Sequence, residues 1–205
     1  MISGMKASHP VETTRQLILQ TAFQEFYRFG FQGGSLNRIV EKTGLTKGAL
    51  FHHFASKQEL GYAVVEEVIW PQFKATWIDP LEQSDDPIQD TKRLLLHMAE
   101  KGGPAGSLVQ GCPVNNLAQE MSPLDEEFRR RLERIYAAWR LAFETALAKS
   151  IKAGRVRKDI SPPKVAAFIV AALTGIIGTV KNAQDKQLLR DAGAALLDYL
   201  DSLQR

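Results

Sequence analysis

The segment from Ser35 to Lys57, SLNRIVEKTGLTKGALFHHFASK, constrains the fold of this chain more than any other stretch. It predicts two short helices joined by a tight turn at Gly44, because a sharp chain reversal favours a residue that tolerates positive φ. Ile39 lies on an apolar side of the first helix, and Leu50 and Phe54 lie on that of the second. The spacing therefore predicts a helix-turn-helix.

The opposite side of this unit is polar and basic, and it is formed by Asn37, Arg38, Thr46, Lys47, His52, His53 and Lys57. A helix-turn-helix places its second helix in the major groove of DNA, with that helix's first residues at the base edges. Gly48 and Ala49 suit this use, because small side chains let the backbone approach the duplex. An ordinary helical hairpin with a solvated basic face is the alternative. The turn glycine, the apolar spacing and the basic flanks together favour DNA binding.

The net charge of +3 is unevenly distributed along the 205 residues. Residues 1–60 carry seven Lys and Arg side chains against four acidic ones, whereas the remaining residues carry 19 of each sign. The positive balance therefore coincides with the predicted helix-turn-helix, as expected of a surface that attracts a nucleic-acid backbone.

The composition argues against several other classes of protein. A single cysteine cannot form an internal disulfide bond, which favours a reducing compartment and a cytoplasmic location. No run approaches the ~18 consecutive apolar residues of a membrane span, and the amino terminus lacks a signal-peptide hydrophobic region. No nucleophile–base set or nucleotide-binding loop indicates an enzyme. Neither a metal nor another cofactor is expected, because no cysteine pair has zinc spacing and the histidines are scattered, at His9, His52, His53 and His97.

The sequence predicts a series of helices, and no segment shows the alternating apolar and polar pattern of a strand. The first is predicted from about Val11 to Phe29 and ends at Gly30, with a buried stripe at Ile18, Ala22, Phe26 and Phe29. The predicted N-caps of the next three helices are Ser35, Thr46 and Ser56.

The later helices are placed by their Pro, Gly and polar boundaries. They are expected at Ser56 to Trp77 with a kink at Trp70–Pro71, Ile88 to Glu100, a short stretch from Pro113, Ser122–Pro123 to Gly154, Pro163 to Lys181, and Asp185 to Leu203. Loops are expected at Asp79–Pro80, Ser84–Pro87 and Lys101–Gly111.

The order of these features resembles the amino-terminal domain of the TetR family of bacterial transcription regulators. A first helix ends in a Phe/Tyr-x-x-x-Gly segment, FYRFGF here, and the helix-turn-helix is followed by a K-x-E-L helix start, KQEL here. The resemblance covers about Val11 to Val65, and beyond it only the length and the helix order agree. It implies an all-α protein of about nine helices. Residues 1–56 would form the DNA-binding helix-turn-helix domain, and residues 57–205 a ligand-binding and dimerisation domain.

The resemblance also assigns roles within the third helix. Lys47 and Ala49 match positions at its base-reading end. Phe51 stands where family members commonly have a tyrosine whose hydroxyl touches a phosphate, so that contact must be missing here, although the ring can still pack beside the DNA backbone.

Phosphate contacts are implied at both ends of the helix-turn-helix. His53 and Lys57 match phosphate-contacting positions, and Ser35 and Arg38 contribute from the second helix. The complete set of predicted DNA-contacting residues is Ser35, Arg38, Thr46, Lys47, Gly48, Ala49, Phe51, His52, His53 and Lys57.

The last two helices, Pro163–Lys181 and Asp185–Leu203, are predicted to form a homodimer interface. The segment AAFIVAALTGIIGTV is apolar nearly all round, so it needs cover on several sides, and its small residues let a partner helix approach closely. In the resembled family, two such helices from each subunit form a four-helix bundle. Burial within the core of one chain is the alternative.

Aromatic and methionine side chains gather in the middle of the chain, at Trp70, Phe73, Trp77, Met98, Met121, Tyr136, Trp139 and Phe143. The resemblance implies a pocket there whose ligand shifts the fourth helix and, through it, the DNA-binding domains. For any single one of these side chains, a place in the core is the better interpretation, and two or three of them are expected to line the pocket. The predicted ligand-binding residues are Trp70, Phe73, Met98, Cys112, Trp139 and Phe143.

Cys112 is a candidate sensor residue. Pro113 is predicted to occupy the first helical position, which makes Cys112 an N-cap candidate, and a helix dipole favours the thiolate there. The segment GCPVNNLAQE resembles a TetR-family branch that includes cysteine-based sensors of electrophiles and oxidants, as well as members that bind ligands noncovalently. An inert, structural cysteine is the alternative.

These features together predict a ligand-responsive transcription regulator that binds double-stranded DNA as a homodimer. The resemblance implies a repressor that a small-molecule effector releases from a palindromic operator. A helical ligand-binding or protein-interaction module without sequence-specific DNA binding is the alternative, and the intact basic face disfavours it.

Overall fold

A computed structural model describes residues 11–100 and 110–204, including all their side chains except three at the edges of these ranges. Counting the unbroken helical run at residues 57–82 once, the described residues form nine helices. Apart from one isolated bridge between Val156 and Gln204, they contain no β-structure, and the all-α prediction is confirmed. The predicted glycine-rich loop Lys101–Gly111 lies outside the described residues except for its last two positions.

The helices are α1 (Val11–Gly33), α2 (Leu36–Thr43), α3 (Lys47–His53), α4 (Lys57–Val64), α5 (Trp70–Phe73), α6 (Asp79–Glu82), α7 (Pro87–Glu100), α8 (Pro113–Met121), α9 (Glu126–Lys152), α10 (Pro162–Ala183) and α11 (Lys186–Ser202). Two π-helical segments, Val65–Ile69 and Lys74–Ile78, separate α4, α5 and α6. The chain divides into two compact units, the first ending at Ile69 and the second beginning at Trp70.

In the first unit, α1 packs on α2, on α4 and on the π-helical segment that follows α4. The predicted stripe is buried at Ile18, Ala22 and Phe26, but the prediction for Phe29 is wrong, because its ring is 44% exposed. The reason is Gly30, whose φ of 75° interrupts the helical backbone and turns the following residue, Phe31, into the core.

The predicted caps of the helix-turn-helix are confirmed. The side-chain oxygens of Ser35, Thr46 and Ser56 each accept a hydrogen bond from the backbone N–H three residues later. Gly44 adopts the left-handed conformation, φ 66°, that closes α2. Gly34 is held close to α1, since an added Cβ would lie 2.5 Å from the ring of Phe26.

Two prolines explain the unusual helix from Lys57 to Glu82. Each π-helical segment ends two residues before a proline, Pro71 or Pro80. Proline has no N–H to donate to the carbonyl four residues earlier, and its ring crowds that carbonyl. A π turn is wider than an α turn and therefore leaves room for the ring. The helix therefore continues beyond Trp77, and the predicted loop at Asp79–Pro80 is wrong, because Pro80 occupies the first turn of α6, where proline is tolerated.

In the second unit, α9 is the central helix and contacts α6, α7, α8 and α10. Its predicted start at Ser122–Pro123 is wrong. Ser122 instead ends α8, and Asp125 caps α9 by accepting from the N–H groups of Glu127 and Phe128. The Asp125 carboxylate accepts two amide hydrogens, and its negative charge is favoured at a helix amino terminus.

Helix α10 is long and apolar enough, by length and composition alone, to cross a membrane, which corrects the expectation that no segment approaches a span. It buries Val165, Ile169 and Leu173 within the unit, where it packs on α9 and α11. Only 33% of its most apolar window is buried, so much of its surface still needs cover. A helix that packs one side within its own chain and leaves an apolar surface on the other also suits a subunit interface.

Candidate DNA interface and effector site

Helix α3 presents the predicted DNA-contacting side. Leu50 and Phe54 are 1% and 3% exposed and anchor the helix, while Phe51 is 48% exposed. The other predicted residues of the turn and α3 divide into exposed positions, Thr46, Lys47, Gly48 and His52, and half-buried ones, Ala49 and His53. The hydroxyl of Thr46 accepts from the Ala49 N–H at 3.1 Å, so this side chain fixes the start of α3. The end of α3 that the sequence proposes for base reading is thus capped and exposed.

Arg38, predicted to contact phosphate, is held by three groups of its own domain. Its Nε donates to Glu25 Oε1 at 2.6 Å, and its Nη2 donates to the carbonyl of Gly33 at 2.8 Å. Its guanidinium also lies 4.6 Å from the centre of the Phe29 ring. Three contacts thus hold a side chain that is still 43% exposed.

Glu25 is a residue of the candidate DNA interface that sequence reasoning missed. It is fully buried, and its carboxylate accepts from the Ser35 N–H at 3.1 Å, from Arg38, and from Lys42 Nζ at 3.0 Å. Burial by itself raises the pKa of Glu25, but the hydrogen bonds from Lys42, the Ser35 amide and Arg38 outweigh it and leave the pKa below its ordinary value. One carboxylate therefore ties α1 to the first residues of α2.

A signal for Glu25 was present in the sequence. It lies on α1 between Ala22 and Phe26, on the stripe that helical periodicity assigns to the core. A carboxylate there must be paired, and the cations at Arg38 and Lys42 are the nearest basic residues of the next helix.

The exposed Phe29 ring collects positive charge. The cationic groups of Arg28, Arg38 and Lys42 lie 5.2, 4.6 and 6.0 Å from its centre. Cations beside an aromatic face are stabilised without being neutralised. Two of these cations, Arg38 and Lys42, are paired with Glu25, so three cations and one carboxylate leave this corner of the first unit with a net positive charge.

Lys57, the other predicted phosphate contact, is ordered in the same way. Its Nζ donates to the carbonyl of Gln32 at 3.0 Å and lies 4.9 Å from the centre of the Phe31 ring. Lys57 begins α4, so the end of α1 and the start of α4 are joined by a cation that remains half-exposed.

In the second unit, four aromatic rings form a cluster consisting of Phe73, Trp77, Trp139 and Phe143. Trp139 is central, with ring centres 5.0 Å from Phe73, 4.9 Å from Trp77 and 6.2 Å from Phe143. All four are at most 8% exposed. The indole Nε1 of Trp139 is buried and has no hydrogen-bond partner among the described residues.

The cluster contains three of the six predicted ligand-binding residues. Trp70 is half-buried at the first residue of α5, and no described ring contact joins it to the cluster. Met98 is half-buried on α7, and Cys112 is half-buried just before α8.

Two models of known protein families match this order of a basic helix-turn-helix followed by a helical unit. A family model described as "Bacterial regulatory proteins, tetR family" matches residues 18–64, and one described as "Tetracyclin repressor-like, C-terminal domain" matches residues 94–196. The chain belongs to the TetR family. It is therefore a DNA-binding helix-turn-helix transcription regulator with a carboxyl-terminal domain of the TetR ligand-binding type.

Individual TetR-family relatives match nearly the whole chain. An uncharacterised regulator from Lactococcus lactis is 30% identical over 188 residues, which cover 87% of this chain and 89% of the relative. The repressor DhaR from Mycobacterium sp. is 27% identical, with 85% and 86% covered. A TetR regulator from Chloroflexus aurantiacus has a solved structure with a TM-score of 0.82 at 25% identity, and 95% and 98% of the two chains are covered.

Cys112 is the N-cap of α8 in this TetR-family protein, with Pro113 in the first turn, as predicted. The predicted stabilisation of the thiolate is outweighed, however. Burial raises the pKa of the Cys112 thiol, and the amides of Asn115 and Val114, which act in the opposite direction, do not compensate. The protonated, less nucleophilic form is therefore favoured.

An open groove of about 520 Å³ lies between α8 and the first turns of α9. It is lined by Ala118, Gln119, Ser122, Pro123, Arg129, Leu132, Glu133 and Tyr136. The Tyr136 hydroxyl donates to Asn115 Oδ1 at 3.3 Å, and burial raises the pKa of that phenol. The groove does not include the predicted ligand-binding residues. In the described part of the chain, no three His, Cys, Asp or Glu side chains are placed to hold a metal ion.

Proposed function

We propose that this TetR-family protein is a cytoplasmic, homodimeric repressor that leaves a palindromic operator when a small-molecule effector binds its second unit. The observation that best supports this proposal is that buried apolar residues anchor α3, while Lys47, Gly48 and His52 are exposed on it. The alternative, a helical module without sequence-specific DNA binding, does not account for this surface.

Phosphate contacts would flank α3 on both sides. Arg38 and Lys57 are held by backbone carbonyls and aromatic rings, so little side-chain entropy is lost when they meet DNA. Ser35 contributes as the cap of α2, and His53 as a half-buried residue at the end of α3. Phe51 can pack against the sugar–phosphate backbone but cannot donate to it.

Two subunits would join through α10 and α11. Phe168 on α10 is 51% exposed and packs edge-on against Tyr199 of α11, at 4.7 Å between ring centres. Gly175 is exposed, and a Cβ there would meet nothing within 4 Å in one chain. An apolar surface with small residues permits close approach of the same helix from a second copy, and two-fold symmetry would match a palindromic operator.

The effector would bind noncovalently at the four-ring cluster. Buried aromatic side chains with few polar groups are typical of small-molecule sites. The raised pKa of Cys112 disfavours a covalent signal at that residue. Helices α5 and α6 and the π-helical segment between them carry Phe73 and Trp77, and this run follows Ile69 directly along the chain. A ligand that moves these rings would therefore act on the helix that enters the first unit.

Titrating labelled DNA with the purified dimer tests this function. We expect promoter fragments that the protein selects from genomic DNA to bind far more tightly than random duplexes of equal length at physiological salt, since specific sites of such proteins are favoured by about 10³-fold or more. Equal binding to both would refute operator recognition and favour the alternative.

A further inference from the structure

The Trp139 indole is the least satisfied polar group in the aromatic cluster. It is 2% exposed, and its Nε1–H donates to no described residue. Buried N–H groups are nearly always paired, because water that solvated them in the unfolded chain has been removed. An exception inside a cluster of flat side chains therefore indicates a donor that a bound molecule could satisfy.

The rings around Trp139 provide surfaces for a flat molecule. Phe73 meets the indole edge-on, with an interplanar angle of 87°, while Trp77 and Phe143 lie tilted at 55° and 41°. Trp77 is at the shortest centre-to-centre distance, 4.9 Å. A planar ligand that replaced Trp77 would keep the aromatic contact with Trp139 and add an acceptor for its N–H.

The backbone that carries Trp77 is suited to such a displacement. Trp77 belongs to the π-helical segment Lys74–Ile78, which is adjacent to α5 and α6. π turns are less stable than α turns and are frequent at functional sites. Conversion of this segment to α-helix would rotate Trp77 relative to α9. The ring whose centre lies closest to that of the Trp139 indole is thus carried by a π-helical segment.

We propose that the effector is an uncharged, flat aromatic molecule with a hydrogen-bond acceptor, which accepts from Trp139 Nε1 and takes the place of Trp77 against the indole. This rests on the proposed function, in which a small molecule controls operator binding. The indole N–H is a donor only, so it selects an acceptor. The four rings offer no counter-ion, so a charged ligand would be disfavoured.

Naphthalene and quinoline form a matched pair of probes, because they have nearly the same shape but only quinoline has an acceptor, its ring nitrogen, and both are uncharged at neutral pH. Their binding to the full-length protein is measured by equilibrium dialysis. In Trp139→Phe we expect quinoline affinity to fall roughly tenfold, the usual worth of one hydrogen bond at a buried donor, while naphthalene affinity changes much less. Equal changes for the two probes would overturn the proposal.

Two further variants keep the test decisive if Trp139→Phe is poorly folded. Trp77→Ala removes the ring that the ligand must displace, so both probes should bind more tightly than to the wild type. Ser150→Ala removes another buried and unpaired oxygen from α9, outside the cluster, and should leave both affinities unchanged. Absence of binding to both the wild type and Trp77→Ala would overturn the proposal.

Operator binding measured in parallel separates this proposal from the proposed function. Bound quinoline should lower the affinity for the operator in the wild type, and retention of the operator with quinoline bound would refute the effector role. If the ligand-free protein fails to distinguish promoter from random DNA, the proposed function fails, and the quinoline–naphthalene comparison still decides the site.

Discussion

Glu25 in the first compact unit and Trp139 in the second are both buried polar groups, but their surroundings are opposite. Glu25 is 0% exposed and accepts hydrogen bonds from one amide and two cations. Trp139 is 2% exposed and its N–H has no partner among the described residues. A satisfied buried network specifies one geometry, whereas an unpaired donor leaves free energy to be gained by binding.

The difference matches the tasks proposed for the two units. A DNA-reading surface must hold its cations in one arrangement, and Glu25 fixes Arg38 and the start of α2 relative to α1. An effector site must respond to a ligand, and one ring of the cluster, Trp77, lies on a π-helical segment, a backbone form that is frequent at functional sites. Changes in the first unit should therefore alter DNA contacts directly, and changes in the second should act only through assembly or effector binding.

The largest effect on operator binding is expected from a residue that touches no DNA. Gly175→Glu places a charge on the exposed apolar side of α10, where the single chain has room for it. We expect the dimer to dissociate and operator affinity to fall on the order of 100-fold, because two linked half-site contacts become independent. Sedimentation velocity and DNA titration measure the two effects.

Ala137→Glu is the matched control for Gly175→Glu, since Ala137 is an exposed residue of α9 in the same unit. It should remain dimeric with wild-type operator affinity. A Gly175→Glu protein that stays dimeric and binds the operator normally would show that α10 does not form the interface.

A second, smaller effect is expected on stability, where the loss of a hydrogen-bonded buried group, Glu25, is compared with the loss of an unpaired one, Ser150. Glu25→Gln should lower the free energy of unfolding by about 1–3 kcal/mol, because the amide cannot accept from both Arg38 and Lys42. Ser150→Ala, which removes an unpaired buried hydroxyl, should change it by less than about 0.5 kcal/mol. Urea unfolding measures both, and equal losses would contradict the contrast.

The stabilisation by Glu25 should depend on pH with a defined sign. Its pKa in the folded protein lies below the ordinary value of 4.5, so its contribution is fully present above pH 4.5 and is lost as the pH falls through the folded pKa. The stability difference between wild type and Glu25→Gln should therefore shrink on acidification. Denaturant titrations from about pH 7 to pH 3 test this, and a difference that stays constant would exclude titration of Glu25 as its source.

The sequence predicted the helix-turn-helix well because its signals are local. Ser35, Gly44, Thr46 and Ser56 act on groups within four residues of themselves, so propensity and spacing identify them. Phe29 was misplaced because helical periodicity was continued to the last residue before Gly30. The loop predicted at Asp79–Pro80 was wrong because proline within a first helical turn looks the same in sequence as proline in a loop.

The candidate sites could be predicted only in part, because they depend on contacts between distant residues. The aromatic positions on α5 and α9 were recognisable from composition, but nothing local shows that Phe73 and Trp77 meet Trp139. The unpaired state of its N–H is visible only in three dimensions. Likewise, Glu25 was detectable as a charge on an apolar stripe, whereas its partners Arg38 and Lys42 required the α1–α2 packing.

Within the first unit, Lys57 and Lys47 should affect DNA binding in different ways. Lys57→Ala should weaken binding to every duplex and reduce the slope of log K against log salt by roughly 0.9, the value of one phosphate contact. Lys47→Ala should instead change which operators are preferred. Lys158→Ala, an exposed lysine of the second unit, should do neither. An unchanged salt slope in Lys57→Ala would show that its ammonium serves only the contacts to Gln32 and Phe31.

The smallest effect is expected at Cys112. Serine is a favoured N-cap, so Cys112→Ser should preserve the start of α8. Because burial raises the pKa of the thiol, little thiolate is present at neutral pH, and the cysteine of the folded protein should react with iodoacetamide more slowly than that of urea-unfolded protein. Wild type and Cys112→Ser should then release the operator at the same effector concentration and at the same dose of hypochlorite. If hypochlorite releases only the wild type, Cys112 is a sensor, and a sulfenic acid or an intersubunit disulfide would be the species to identify by mass spectrometry.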